Sequence, residues 1–398
     1  MDSFELHLRT RIRFGVGELG RLGEEAAPLG RRALLVTGRS FAARGGLTDR
    51  ARELLKGAGV AVSVFDRVQP NPHTETADEG AAWVRREGCD LVVALGGGSV
   101  MDAAKGIAVA ALGEASAWDY CRGSERWQEL YPIRRGLPLI AVPTLAGTGS
   151  EANGTAVLTR WSTREKTVMS GPALFPRVAL VDPSLTVSVP AGTTADGAVD
   201  ILIHLLEGYL TGSDTADVQD RITEGLVAVV LEHGPRAYRD GRDLRSRTEL
   251  SWASTLALSG VPSLGRGGTF PLHSLEHALS GHFDVSHGRG LAALFPTYAR
   301  RFRQVRPARL ALLGRRVLGV TGDDEAVARE TVERLAGWMA DLGEPPGLAS
   351  LGLDPGSFPS LAEEVIRLNG HGQDHLPGLP SLDRQGVRDL YQAAYAAG

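Results

Sequence analysis

Along the first half of the chain the apolar residues fall into short runs, each followed by a stretch of helical period. Ala33 to Thr37, Val60 to Phe65, Asp90 to Leu95 and the run ending at Val142 read as buried strands. Between them, 18–27, 47–57, 74–87 and 99–112 repeat apolar residues at a spacing of three to four, which predicts helices. Residues 4–14, FELHLRTRIRF, alternate with period two and read as one or two amphipathic strands near a sheet edge; Arg177 to Val181 is the last strand signal. Strand alternating with helix predicts a doubly wound parallel sheet, which binds ligands beyond the carboxyl ends of its strands. Beyond Val189 strand signals almost vanish, and helical periods run through 194–211, 215–233, 243–259, 269–280, 289–304, 306–317, 324–341 and 384–396. The expected architecture is an α/β domain over residues 1–188 and an all-α domain over 189–398, since 398 residues exceed what one core usually holds.

Composition narrows the function classes. A net charge of −4 and a pI near 6.2 leave no polybasic stripe, so neither nucleic acid nor an anionic membrane surface is expected as partner. The two cysteines, Cys89 and Cys121, have no metal-motif spacing and are too few for a disulfide framework. No apolar run approaches twenty residues and the N-terminus lacks a signal core, so the expected location is the cytoplasm.

Candidate chemistry begins at two strand ends. In LVVALGGGSVMDAAK (91–105) three glycines let backbone pass close to a phosphate, and the helix opening at Ser99 or Val100 offers N–H donors and a positive dipole. It lacks the G-K-[ST] ending of a P-loop. The plain alternative is a tight turn in which Ser99 and Asp102 form a capping box. In LPLIAVPTLAGTGSEANG (137–154), Thr144, Thr148 and Ser150 crowd hydroxyls and glycines at another strand end, as a ribose or phosphate site or an ordinary polar loop would.

Histidines supply the second theme. His273 and His277 stand four apart on a helix that Gly281 is expected to end, and the following turn presents His287. Asp200 and His204 repeat the i, i+4 spacing upstream. One carboxylate and three or four imidazoles can close around a divalent transition metal, with Fe(II) or Zn(II) both suited. HSLEH also matches the H-x-x-E-H zinc-peptidase pattern, with Glu276 as general base, but that reading leaves the glycine loops, Asp200 and His204 without a role.

The blocks GGGSVMDAAK, PTLAGTGSE, DILIHLLEGY and His273 to His287, in this order, resemble the iron-containing (group III) alcohol dehydrogenases. The resemblance implies a Rossmann-like nucleotide-binding domain joined to a helical domain in a dehydroquinate synthase-like architecture. It implies a metal held by Asp200, His204, His273 and His287, with His277 beside it carrying protons. It also implies NAD(P)H contacts at Gly97, Gly98, Ser99, Asp102, Asn71, Thr144, Thr148 and Lys166. The substrate would be a small primary alcohol or aldehyde, the metal Fe(II) with Zn(II) as the other candidate, and the assembly a homodimer. A glycerol dehydrogenase-like polyol oxidoreductase of the same fold is the nearest alternative. Many members carry an acidic residue after the first strand; here Gly38 and Arg39 stand there, which favours NADPH. Arg266 reads either as a surface side chain or as the partner of an anionic group on the substrate. His371 and His375, in the loop 369–381, read as cleft residues or as chemically idle.

Overall fold

Six parallel strands form one sheet in the spatial order β3-β2-β4-β5-β8-β1. They are β1 Arg11–Phe14, β2 Arg32–Gly38, β3 Ala61–Val68, β4 Leu91–Gly96, β5 Leu139–Pro143 and β8 Val178–Val181. The computed structural model describes residues 3–39 and 46–398. Contacts divide the chain into two units, one of His7–Ser188, the other of Val189–Gly398 with residues 3–6.

In the first unit, helices α1 Leu47–Gly57, α2 Thr74–Glu87 and α3 Gly98–Ala110 connect the strands. Alternate residues of one strand enter different cores: Leu34, Val36, Val92 and Ala94 pack on one face, Ala33, Leu35, Leu91 and Val93 on the other. Burial on both faces is why these strands read as unbroken apolar runs. The strand order reverses between β2 and β4; β2 ends at Gly38, and the loop after β4 begins at Gly97. That reversal is where open α/β sheets take their ligands.

Two differences from the sequence reading concern strands. Of residues 4–14 only Arg11–Phe14 is strand, at the sheet edge; Phe4, Leu6 and Leu8 are 50%, 52% and 49% exposed, and among the described residues no strand pairs with them. An antiparallel hairpin, β6 Thr155–Arg160 with β7 Glu165–Ser170, was not anticipated. Both its strands carry charged residues and lie outside the main sheet, so they lack the apolar runs of the others.

The second unit is built from α4 Ala191–Thr211, α5 Asp217–Arg239, α6 Leu244–Ala257, α7 Pro271–Phe283, α8 His287–Val305, α9 Pro307–Val317, α10 Asp324–Asp341, α11 Phe358–Asn369 and α12 Arg384–Ala396. Only α11 was unforeseen among these helices. In the 369–381 loop, β9 His375–Leu376 pairs with β10 Leu382–Asp383. Helix α4 is buried on nearly every side, from Thr194 to Leu210, and packs against α5, α6 and α8. A helix apolar all round belongs in a core, and the polar residues it carries there need partners. Gly281 does not end α7: the helix continues to Phe283, and Asp284 closes it in the left-handed region at φ 55°. His287 is not in a loop either but is the first residue of α8.

Candidate metal centre and cofactor loops

Three helices of the second unit each bring donors to one point. Asp200 and His204 lie one turn apart on α4, His273 lies in the first turn of α7, and His287 opens α8. Asp200 Oδ1 stands 3.2 Å from His204 Nδ1, 3.8 Å from His273 Nε2 and 3.7 Å from His287 Nε2. A tetrahedral ion with bonds of about 2.1 Å has donor–donor edges of about 3.4 Å. Asp200 Oδ1, His204 Nδ1 and His273 Nε2 are buried and have no hydrogen-bond partner. Buried polar atoms are seldom left so, and their common aim fits an ion they would hold together. Asp200, His204 and His273 form one potential ligand group among the described residues; Glu276, His277 and His287 form another.

The surroundings set the protonation that such a site needs. Burial pushes His204 down to about 3, against the pull of Asp200, so its ring is neutral and its lone pair free. Burial alone would raise Asp200, but His204, His273 and His287 around it hold the carboxyl well below the usual range. Burial works against a charged His273, yet Glu207 and Asp200 raise it to about 9. A metal entering there displaces a proton, so its affinity falls as pH drops below that value.

Two carboxylates fix the imidazoles: Glu207, which sequence reasoning missed, and Glu276, which it weighed only as a peptidase base. Glu207 on α4 accepts from His273 Nδ1 and from the Leu272 amide; Glu276 on α7 accepts from His287 Nδ1 and Ser280 Oγ. Both are fully or nearly fully buried, at 2% and 0% exposed. Each therefore holds one ring by Nδ1 and leaves Nε2 facing Asp200. Glu276 is committed to this contact, which removes it as the general base of a zinc peptidase. Such outer partners typically contribute about 10- to 100-fold in metal affinity. Glu207→Gln and Glu276→Gln should each weaken metal binding by roughly that factor; competition with a chromogenic chelator measures it, and unchanged affinity would count against the assignment.

Other expectations fare differently. His277 is 8% exposed, its ring centroid 6.4 Å from that of His273 and 5.6 Å from that of His287. Arg266 is neither at the surface nor available to a substrate: it is 2% exposed and bonded to Asp220. Its stem packs where a Cβ on Gly212 would sit. His371 and His375 join neither potential ligand group, and His375 Nδ1 lies 3.2 Å from Asp374.

The loops of the first unit stand as follows. β4 ends at Gly96, Gly97 caps α3 with extended backbone, and the helix starts at Gly98, one residue before the predicted range. No side chain caps it, so the Ser99–Asp102 capping box does not form. The first-turn N–H groups of a helix lack internal acceptors and make an anion-binding end. A Cβ on Gly98 would lie 2.4 Å from Thr148 Cγ2, so only glycine lets the second loop close over the helix start. Thr144 donates its amide to Gly96 O at 3.1 Å, tying the same two loops together. Asp102 stands behind them, its oxygens taken by Ser150 Oγ at 2.6 Å and the Val157 amide at 2.9 Å. Asn71, with φ 47°, accepts from Lys166 Nζ at 2.9 Å, both side chains buried. Gly38 ends β2 with room beside it, its nearest neighbours 3.7 Å from a would-be Cβ.

Comparison with known proteins agrees with this geometry. Residues 9–183 match the family described as iron-containing alcohol dehydrogenase, and 194–395 match the Fe-containing alcohol dehydrogenase family, C-terminal. The chain is 34% identical over 397 residues to the probable NADH-dependent butanol dehydrogenase 1 of Bacillus subtilis (strain 168), covering 99% of this chain and 100% of that one. It is 32% identical over 399 residues to the NADPH-dependent aldehyde reductase YqhD of Escherichia coli (strain K12), covering 99% and 100%. The crystal structure of NADH-dependent butanol dehydrogenase A from Thermotoga maritima superposes with a TM-score of 0.93 at 32% identity, covering 99% of each chain. The chain belongs to the iron-containing alcohol dehydrogenase family and is a metal-dependent, NAD(P)-linked alcohol dehydrogenase or aldehyde reductase.

Proposed function

We propose that this enzyme reduces small unbranched aldehydes and oxidises the matching primary alcohols at an iron(II) ion, with NADPH as its preferred carrier. Asp200, His204, His273 and His287 would hold the ion, and the observation that carries the reading is the orphaned donor atoms of Asp200, His204 and His273, with His287 Nε2 3.7 Å from Asp200 Oδ1. When bound, the metal supplies a Lewis acid that lowers the pKa of the substrate's hydroxyl, and the nicotinamide supplies or takes the hydride. Three imidazoles with one carboxylate suit iron and zinc alike, and membership of this family favours iron. Phe270 lies edge-on to His204 and His273, its centroid 6.5 Å and 5.7 Å away, and offers an alkyl chain an apolar wall. His277, beside His273 and His287, would pass the proton between the substrate oxygen and solvent. With Arg266 committed to Asp220, an anionic group on the substrate has no partner there.

On the cofactor side, Gly97, Gly98 and Ser99 would receive the pyrophosphate, with Thr144, Thr148, Asn71 and Lys166 contacting the rest of the dinucleotide. Gly38 puts no carboxylate where a 2′-phosphate would be repelled, and Arg39, next to it, bonds to Arg67 O through Nε at 3.3 Å. The Arg39 guanidinium thus lies at the ends of β2 and β3, while that of Arg67 is paired with Glu79. The exposed Phe4, Leu6 and Leu8, and the open edge of β1, are each suited to cover by a second copy, giving a homodimer. Cys89 and Cys121 are buried free thiols, in keeping with a reducing cytoplasm. No helix among the described residues is long and apolar enough to cross a membrane.

One experiment tests the whole reading: metal analysis of the purified protein, then an aldehyde panel run with NADH and with NADPH. Stoichiometric iron, butanal and propanal reduced at least as well as carboxylated or phosphonylated aldehydes, and a higher kcat/KM with NADPH are expected. Gly38→Asp should reverse the carrier preference. Better turnover of glycerol than of simple alcohols would favour the polyol alternative, and peptide cleavage without nicotinamide oxidation would overturn the reading.

A further inference from the structure

Lys105, at the end of GGGSVMDAAK, is 0% exposed, an unusual place for an ammonium group. It sits in a cage of four oxygens: Ser150 Oγ at 2.8 Å, Asn153 O and Oδ1 each at 3.1 Å, and Thr155 O at 2.6 Å. Ser150 gives its own proton to Asp102 Oδ1, so its lone pair faces the lysine and the three side chains form one chain of bonds. Asn153 is itself fixed, donating Nδ2 to Gly149 O at 3.1 Å and accepting the Thr155 amide at 3.0 Å. Every oxygen of the cage belongs to residues 150–155, the segment that follows Thr148. Helix α3 thus grips this loop twice, by Gly98 under Thr148 at its start and by Asp102 and Lys105 further along. Gly98 and Lys105 stand seven positions apart on the helix, a rise of about 10 Å.

We propose that Lys105 is a positioning residue for cofactor binding, its ammonium serving as a built-in cation that gathers residues 150–155 and so seats Thr148 over Gly98. Asp102 shares this role through Ser150. The inference rests on the reading that the two glycine loops receive the dinucleotide. Burial lowers the ammonium's hold on its proton to about 8 against the opposing pull of Asp102 and Glu151, which leaves it charged at neutral pH. A buried charge that is paired and fully hydrogen-bonded is tolerated, whereas its cage without the cation is a set of oxygens facing one another.

The test is NADPH titration by fluorescence on the metal-loaded enzyme, comparing wild type, Lys105→Ala, Ser150→Ala and Gly98→Ala. Lys105→Ala should keep its metal and weaken NADPH binding by about tenfold or more, the scale of one charge-assisted hydrogen bond. Methylammonium, which fits the vacated cage, should restore much of that loss, while tetramethylammonium at the same concentration should not. Ser150→Ala, which removes one of the four cage oxygens and with it the link to Asp102 but keeps the ammonium, should show a smaller loss, and it decides the matter if Lys105→Ala does not fold. Wild-type affinity in Lys105→Ala, or in Ser150→Ala where that variant stands alone, overturns the proposal, as does a loss that methylammonium leaves unmoved. Gly98→Ala separates the two levels: if it binds NADPH normally, the loop reading itself fails; if it alone loses NADPH, only the role of Lys105 falls.

Discussion

Asp200→Ala is expected to lose the bound metal and aldehyde reduction together, with activity down by about three orders of magnitude or more. Asp200 Oδ1 is the one atom common to all three donor–donor distances in the centre. Without it three imidazoles remain, one of them raised towards the cationic form partly by Asp200 itself. His287→Ala should behave in the same direction, since α8 brings no second donor to that point. The fold should persist in both variants: neither deletion empties a hydrophobic position, and the outer partners Glu207 and Glu276 remain. Metal content by elemental analysis and turnover of butanal with NADPH decide the matter, and full turnover by metal-free Asp200→Ala protein would remove the mechanism.

Why the candidate donors were legible in the sequence, while the carboxylates that hold them were not, follows from helix geometry. Residues four apart share a face, so Asp200 with His204 and His273 with His277 announce themselves. Glu207 obeys the same rule at i+7 from Asp200, and a carboxylate amid Leu205, Leu206 and Tyr209 was the signal that could have found it. Glu276 was open to misreading because it precedes His277 directly. Adjacent helical residues diverge by about 100°, and Glu276 accordingly faces α8, where a Cβ on Gly290 would come within 2.7 Å of its carboxylate.

The start of α8 was hidden for a related reason. Glycines at 288 and 290 lower helix propensity, yet a Cβ on Gly288 would lie 2.3 Å from the Asp196 carbonyl oxygen of α4. Glycine is there so that α8 can approach α4 and α7 closely enough for His287 to reach Asp200. In the first unit the parallel sheet was readable because both faces are buried. The β6–β7 hairpin, with Lys166 as its buried functional candidate, carries too many charged residues to show that pattern.

Asp220→Ala is the substitution expected to cost the most stability, about 3–5 kcal/mol, because it leaves two guanidinium groups buried without their counter-ion. Asp220 is 1% exposed, with Arg266 at 2% and Arg309 at 4%. Arg309 donates to Asp220 Oδ2 at 2.6 Å and to Tyr209 O at 2.9 Å, and its guanidinium lies 3.8 Å from the Tyr209 ring centroid. Arg266 adds its own bond to Asp220, and its carbonyl accepts the Ser213 amide at 2.9 Å. The cluster therefore ties the end of α4 to the segment leading into α7, the two helices that carry Asp200, His204 and His273. Its loss should lower the urea midpoint of the helical unit strongly, while butanal turnover per folded molecule changes little. Arg266→Met should be milder, since Arg309 still pairs with Asp220. If Arg266 instead met an anionic substrate group, Arg266→Met would leave the urea midpoint in place and raise KM for carboxylated aldehydes alone, so the two measurements on one variant separate a structural cation from a substrate-binding one.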